Sequence, residues 1–243
     1  MNKTKFFNKV RHSVFKGKLK QSQVDGLGVL LDCAEKRNTN IEYLSYILAT
    51  TYHETAFKMQ PISEFGGKRY FKKLYDIKGS KPKLARRLGN LKAGDGVKYK
   101  GRGFVQITGR ANYVKLGKKL GIDLVNNPDL ALDTKIAAEI LFIGMEQGLF
   151  TGKKLSSYMD GIDGTDEEDR KQYKLSRWLI NGRDKRDTIA DYAIKFECAL
   201  RASQSGDVIT DSKTTGKPVT GKKSGVLSII IELLIKLLEG LKK

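Results

Sequence analysis

The sequence predicts a mainly α domain with a small irregular or β region set among its helices, plus a separate hydrophobic C-terminal helix. Three observations predict it. Apolar residues recur at helical spacing up to about Leu200, glycines interrupt that spacing between about 61 and 112, and the composition changes after Ala202. The expected organisation is a folded domain over 1–202, a flexible linker over 203–224 and an apolar helix over 225–243.

A first helix uses Phe6, Phe7, Val10 and Val14. A second is announced by Ser22 with Asp25 three residues on, a weaker relative of the capping box, and carries the stripe Leu27, Leu30, Leu31, Ala34. A third starts near Asn40 and continues through Ile41, Leu44, Ile47 and Leu48. A fourth follows Pro128, with Ile136, Ile140 and Ile143 on one side. A fifth covers Tyr173 to Ile180, and a sixth begins near Asp187 with Ile189, Ala193, Phe196 and Leu200. In the glycine-punctuated region, short strands are expected at Lys98–Tyr99 and Val105–Ile107. A long irregular stretch inside a compact domain is more often functional than idle. The segment DGIDGTDEED (160–169) lacks the ligand spacing of a calcium loop and reads as a solvated acidic loop.

The chain of 243 residues carries a formal net charge of +19. Residues 68–102 hold thirteen Lys/Arg against Asp76 and Asp95, a field suited to an anionic polymer or surface. The basic N-terminus lacks an apolar run and a cleavage site, so it is not a typical secretory signal. Cys33 and Cys198 sit in helix-like apolar patterns and read as reduced core thiols.

The stretch TTYHETAF (50–57) puts His53 and Glu54 in an apolar helix. A zinc protease motif needs a second histidine one turn on, and Thr55, Ala56 and Phe57 follow instead; no metal is expected. Glu54 lies seven residues from Ile47 and four from Thr50, so it continues the core-facing stripe. A desolvated carboxyl there has the raised pKa that a general acid requires; a buried glutamate paired with an arginine satisfies the same pattern. Glycoside hydrolysis needs a second carboxylate, roughly 6.5–9.5 Å away in an inverting enzyme. The next acid is Glu64 in PISEFGG, where Pro61 and Gly66–Gly67 let a loop fold back. In YKGRGFVQITGRANY (99–113), Gly101 and Gly103 permit close backbone approach. If Val105–Thr108 is extended, Gln106 and Thr108 share a face that can bind sugar hydroxyls and position a water.

YHETAF, Glu64 before a Gly–Gly, KGRGFVQITGRANY and WLINGRD (178–184), with KLKQSQVDGL near the N-terminus, together resemble family 19 glycoside hydrolases over about Lys18–Leu200. That family contains plant chitinases and bacteriophage or prophage endolysins. The resemblance implies an α+β, lysozyme-like fold, with Glu54 as general acid, Glu64 as general base and Thr108 holding the attacking water. It also implies saccharide contacts from Gln106, Asn112 and Asn181, with His53 and Tyr99 lining the site. The ten-residue step from acid to base is like the phage members. It favours an endolysin cutting β-1,4 bonds of peptidoglycan with inversion and no cofactor; chitin is the alternative substrate, and a non-enzymatic cationic glycan- or membrane-binding protein the alternative class. Without an export signal, such an enzyme passes from the host cytoplasm to the wall through a holin-type lesion.

In the tail, Ser228, Glu232, Lys236 and Glu239 make one narrow polar stripe on an otherwise apolar helix. Sixteen residues, Val226 to Leu241, span about 24 Å, short of a ~30 Å hydrocarbon core, so an interfacial helix is expected, with a tilted span as the alternative. The expected partners are peptidoglycan strands and, through 225–243, an anionic membrane surface. Nucleic acid is not among them, and the chain is expected to act as a monomer.

Overall fold

The computed structural model describes residues 1–162, 164–180 and 184–204. The linker and apolar helix expected beyond 204 lie outside the described residues. Ten α-helices and one antiparallel pair of two-residue strands are seen within them: α1 (Lys3–Ser13), α2 (Gln21–Lys36), α3 (Ile41–Glu54), β1 (Ile62–Ser63), α4 (Lys68–Tyr75), α5 (Pro82–Arg87), α6 (Asp95–Lys98), β2 (Arg102–Gly103), α7 (Arg110–Leu120), α8 (Thr134–Glu146), α9 (Asp166–Ser176) and α10 (Arg186–Gln204).

α3 is the central helix. Its Asn40 N-cap accepts from Tyr43 N–H, and residues from Leu44 through Tyr52 are buried without a break. α10 lies along it, α1 and α9 pack on α10, and α2 packs on α8. The main core joins Phe6, Leu30, Tyr46, Ile47, Phe142 and Phe196. Each such side chain contributes about 1.5–3 kcal/mol by leaving water. A smaller core of Tyr99, Ile107, Tyr113, Leu116, Leu124 and Ile140 lies where α7 meets α8.

Several expectations are corrected. α2 begins at Gln21 rather than after Ser22, because the Lys20 N–H is satisfied by the Gln23 side chain. The strands lie at 62–63 and 102–103, antiparallel, with Ile62 opposite Gly103. Lys98 instead ends α6, and only Ile107 of the expected second strand bridges back, to Arg102. Helices α4 to α7 occupy much of the region where helical spacing fails. The fifth helix starts at Asp166, capped by Thr165 with Glu168 in a capping box, so the acidic stretch is partly a helix start. α10 runs to Gln204.

The segment 55–61 carries the chain from α3 to β1. Ala56, Phe57 and Met59 all adopt positive φ, at 48°, 67° and 53°. Thr55 Oγ1 accepts from Met59 N–H, and Gln23 donates to the Phe57 carbonyl. α2 can come this close because of Gly26: a Cβ there would lie 1.7 Å from the Met59 carbonyl oxygen.

Asp169 of α9 and Glu197 of α10 are both fully buried, and both accept from Arg201. Burial, and then the charge of Asp169, push the Glu197 carboxyl up to about 7. Burial raises Asp169 as well, and the buried Tyr173 hydroxyl is held up by burial and by Glu197. The folded chain therefore favours the protonated acid more than the unfolded chain does. This contribution is complete below about pH 4.5 and is lost as pH rises through about 7. Glu197→Gln should remove most of a decline in stability between those limits, on the order of 3 kcal/mol at its fullest, read as the pH dependence of Tm by calorimetry. Parallel curves for the two proteins would show that the pair titrates equally in both states.

Candidate active site

Glu54 is the last residue of α3, and its side chain is 17 % exposed. Arg177, in a short 3-10 turn after α9, is 1 % exposed and donates through Nη2 to Glu54 Oε1 at 2.8 Å. Its Nε donates to the Asp184 carbonyl at 2.8 Å, which fixes the guanidinium plane. The arginine pairing that the helix pattern left open is thus present. It holds the carboxyl in one orientation at the helix end. His53 is half-buried. Burial lowers its pKa, with Arg177 and Lys185 acting the same way against Glu54 and Asp184, so a neutral imidazole stands beside Glu54 near pH 7.

Glu64 is held from two sides. Gly101 N–H donates to Oε2 at 2.9 Å and the Tyr75 hydroxyl to Oε1 at 2.8 Å; the Glu64 N–H returns to the Gly101 carbonyl at 2.8 Å. Burial, then the bond to Glu64, raise the Tyr75 pKa, so this phenol remains a donor. The antiparallel pairing of β1 with β2 thereby positions a carboxylate against the glycine segment.

Gln106 does not sit in an extended strand. Its φ is 52°, and its Nε2 donates to the Ile62 and Gly103 carbonyls. Thr108 donates to the Gln106 carbonyl at 3.0 Å, and Asn112 Nδ2 to the Thr108 carbonyl at 2.8 Å. The turn nevertheless brings the expected groups together. A Cβ on Gly101 would lie 2.9 Å from Glu64 Oε2, 3.0 Å from Gln106 Oε1 and 3.1 Å from Thr108 Oγ1. Three side-chain oxygens therefore crowd one glycine. Gly101→Ala would wedge a methyl among them. Hydrolysis should fall by roughly a hundredfold with Tm near the parent value, because the Gly101 backbone is not in the left-handed region. Unchanged turnover would dissociate these oxygens from the reaction.

Among the expected site residues, Glu64, Gln106 and Thr108 converge, with Asn112 bonded behind them. Glu54 and His53 form a second group with Arg177. Tyr99 is misassigned: it is fully buried in the smaller core, with its hydroxyl donating to the Val125 carbonyl, and has no surface to offer a ligand. Asn181 lies outside the described residues. Arg177 and Tyr75, which fix the two carboxyls, were not expected, and neither belongs to a motif. Phe65, next to Glu64, is 100 % exposed. Among the described residues no group of three or more His, Cys, Asp or Glu is arranged to hold a metal ion, and no helix is long and apolar enough to cross a membrane.

Residues 24–147, just over half of the chain, match the family described as chitinase class I, glycosyl hydrolase family 19. The chain belongs to this family. A family 19 domain-containing protein of Haemophilus influenzae is 48 % identical over 59 residues, 21 % of this chain and 30 % of that protein. A basic endochitinase of Vitis vinifera is 52 % identical over 48 residues, 19 % of this chain and 15 % of that one. The matches thus span less than a third of these curated relatives. A crystal structure of a bacterial family 19 chitinase aligns with TM-score 0.50 at 20 % identity, over 81 % of this chain and 93 % of that one. This likeness is one of fold, and it agrees with the mainly α, lysozyme-like arrangement expected for the family 19 chain.

Proposed function

We propose that this family 19 protein is a peptidoglycan-cleaving endolysin of the bacteriophage or prophage kind, which hydrolyses β-1,4 glycosidic bonds with inversion. The observation that carries the reading is the seating of Glu64. Its carboxylate is fixed by Gly101 N–H and Tyr75 OH beside the oxygens of Gln106 and Thr108. That is an acceptor-rich spot suited to deprotonating a water. Glu54, at the end of a rigid helix, donates the proton to the leaving oxygen; Glu64 draws one from the water attacking the opposite face of the sugar. Glu54 reloads from solvent and Glu64 releases its proton there. The exposed Phe65 ring offers a flat apolar face to a pyranose ring beside the base. The net charge of +19 supports a glycan bearing peptide carboxylates over neutral chitin.

A second reading, chitin hydrolysis, is favoured by relatives named as an endochitinase and a chitinase. Digesting purified sacculi and chitin oligomers side by side, with mass spectrometry of the products, separates the two. New reducing ends on N-acetylmuramic acid or N-acetylglucosamine from sacculi are expected. Release from chitin alone would replace the peptidoglycan reading. Access to the wall through a holin-type lesion, and membrane contact by 225–243, belong to the same proposal. Deleting 224–243 should leave sacculus hydrolysis intact and reduce liposome binding.

A further inference from the structure

The basic region around α4 and α5 is more one-sided in space than in sequence. Between 68 and 92 ten cations are exposed: seven lysines (Lys68, Lys72, Lys73, Lys78, Lys81, Lys83, Lys92) and three arginines (Arg69, Arg86, Arg87). The carboxylates that could offset them are turned inward and engaged. Asp76, 5 % exposed, accepts from Gly94 N–H and Lys78 N–H. Asp95, 3 % exposed, is bound by Arg110 through two nitrogens. None of the ten cations forms an ion pair with another described residue. Only Phe71 of α4 and Ala85 of α5 are buried, so these two helices lend little to the core while crowding like charges. Such crowding costs stability through self-repulsion unless a counter-charged partner offsets it.

The lobe is also tied to the proposed base. Tyr75, the last residue of α4, donates to Glu64. α6 packs on α4 so closely that a Cβ on Gly96 would lie 2.6 Å from the Asp76 nitrogen. Lys100 reaches over the Phe71 ring at 5.4 Å. A polymer lying along Glu64 therefore passes beside α4 and its exposed cations.

We propose that residues 68–92 form the surface that selects an anionic glycan strand, holding the carboxylates of its attached peptides while the sugar backbone lies at Glu64. The identity of the polymer rests on the peptidoglycan reading above. Lysines dominate and no buried fork of donors is present, which suits spaced charges along a polymer better than one small anion. Neutral chitin gains nothing from this surface, so the lobe acts on substrate choice and not on bond cleavage.

The test uses the full chain with K68Q, K72Q, K73Q, R86Q and R87Q combined, and a companion carrying arginine at the three lysine positions. Sedimentation with purified sacculi stripped of phosphate polymers, in an E54Q background that prevents digestion, measures binding against salt. The glutamine variant should bind about tenfold more weakly at low salt and lose most salt dependence, and the arginine variant should bind like the parent. Chemical amidation of the sacculus carboxylates should weaken parent binding to the same degree. With Glu54 restored, cleavage of short neutral chitin oligomers should stay within about twofold of the parent. Unchanged binding by the glutamine variant overturns the proposal. So does binding that needs the phosphate polymers, or binding to duplex DNA as tight as to sacculi. The binding arms need no turnover, so a protein inactive on both glycans would sink the hydrolase reading and leave this one to be judged separately.

Discussion

Glu54→Gln is expected to abolish glycan hydrolysis while leaving a folded protein that still binds sacculi. Glutamine has the same shape, and its amide oxygen can go on accepting from Arg177 Nη2, now held at 2.8 Å. What it lacks is the proton for the leaving oxygen, and general acid catalysis is worth roughly 10²- to 10⁴-fold. Stability should also drop. Arg177 is 1 % exposed, and the amide presents one oxygen to it where the carboxyl presents two; with the hydrogen bond from Nη2 retained, a cost of about 1 kcal/mol is expected. Reducing-end release, sacculus binding and Tm together separate the effects. Loss of activity with binding kept and a modest Tm decrease fits a proton donor. Full lysis of cells by this variant would place the killing in the charge or the tail instead, the non-enzymatic alternative. Arg177→Met probes the support. As a positioning residue, its loss should lower kcat while leaving KM near the parent value, because Glu54 would no longer be held in one orientation.

The helices that carry buried stripes were legible in the sequence. α3, α8 and α10 each bury a long apolar face, and Asn40 marks the start of α3. α4 and α5 were not, because each is short, lysine- or arginine-rich and anchored by a single buried residue. α7 was missed for a related reason: it buries only Tyr113, Leu116 and Gly117. The convergence of Gln106 and Thr108 with Glu64 was expected, but for the wrong backbone. The sequence favours alternation along a strand, whereas a turn with Gln106 at positive φ brings the oxygens around Gly101. Tyr99 shows the limit of reading motifs alone: a tyrosine next to a glycine loop resembles a ligand platform, yet its neighbours Tyr113 and Arg110 close over it. Arg177 was out of reach because it meets Glu54 across 123 residues of sequence. No local periodicity encodes such a pair; only the packing of α9 and α10 against α3 creates it.

Glu64→Ala should be inactive toward its natural substrate yet accept a small anion in place of the missing carboxylate. Removal of the side chain takes away the acceptor for Gly101 N–H and Tyr75 OH and leaves a hollow lined by two donors. Without a base the water is a poor nucleophile, and a loss of a hundredfold or more is expected. Azide needs no deprotonation. Held by those donors, it can attack the anomeric carbon from the side that Glu64 serves, while Glu54 still protonates the leaving oxygen. Because the proposed substrate bond is β, the product should be an α-glycosyl azide, identified by NMR, as water attack in the parent should first release the α-anomer. A β-glycosyl azide would mean net retention by two displacements, with Glu64 on the leaving-group side as acid/base and azide attacking a glycosyl intermediate held from the opposite face. A β-anomer as first product of the parent would mean a covalent intermediate, with one carboxylate acting as nucleophile. Failure of rescue together with an unchanged parent stereochemistry would move the base away from Glu64. The stereochemical readout is independent of which glycan proves to be the substrate, so it tests the roles of the two carboxylates separately from the polymer they cut.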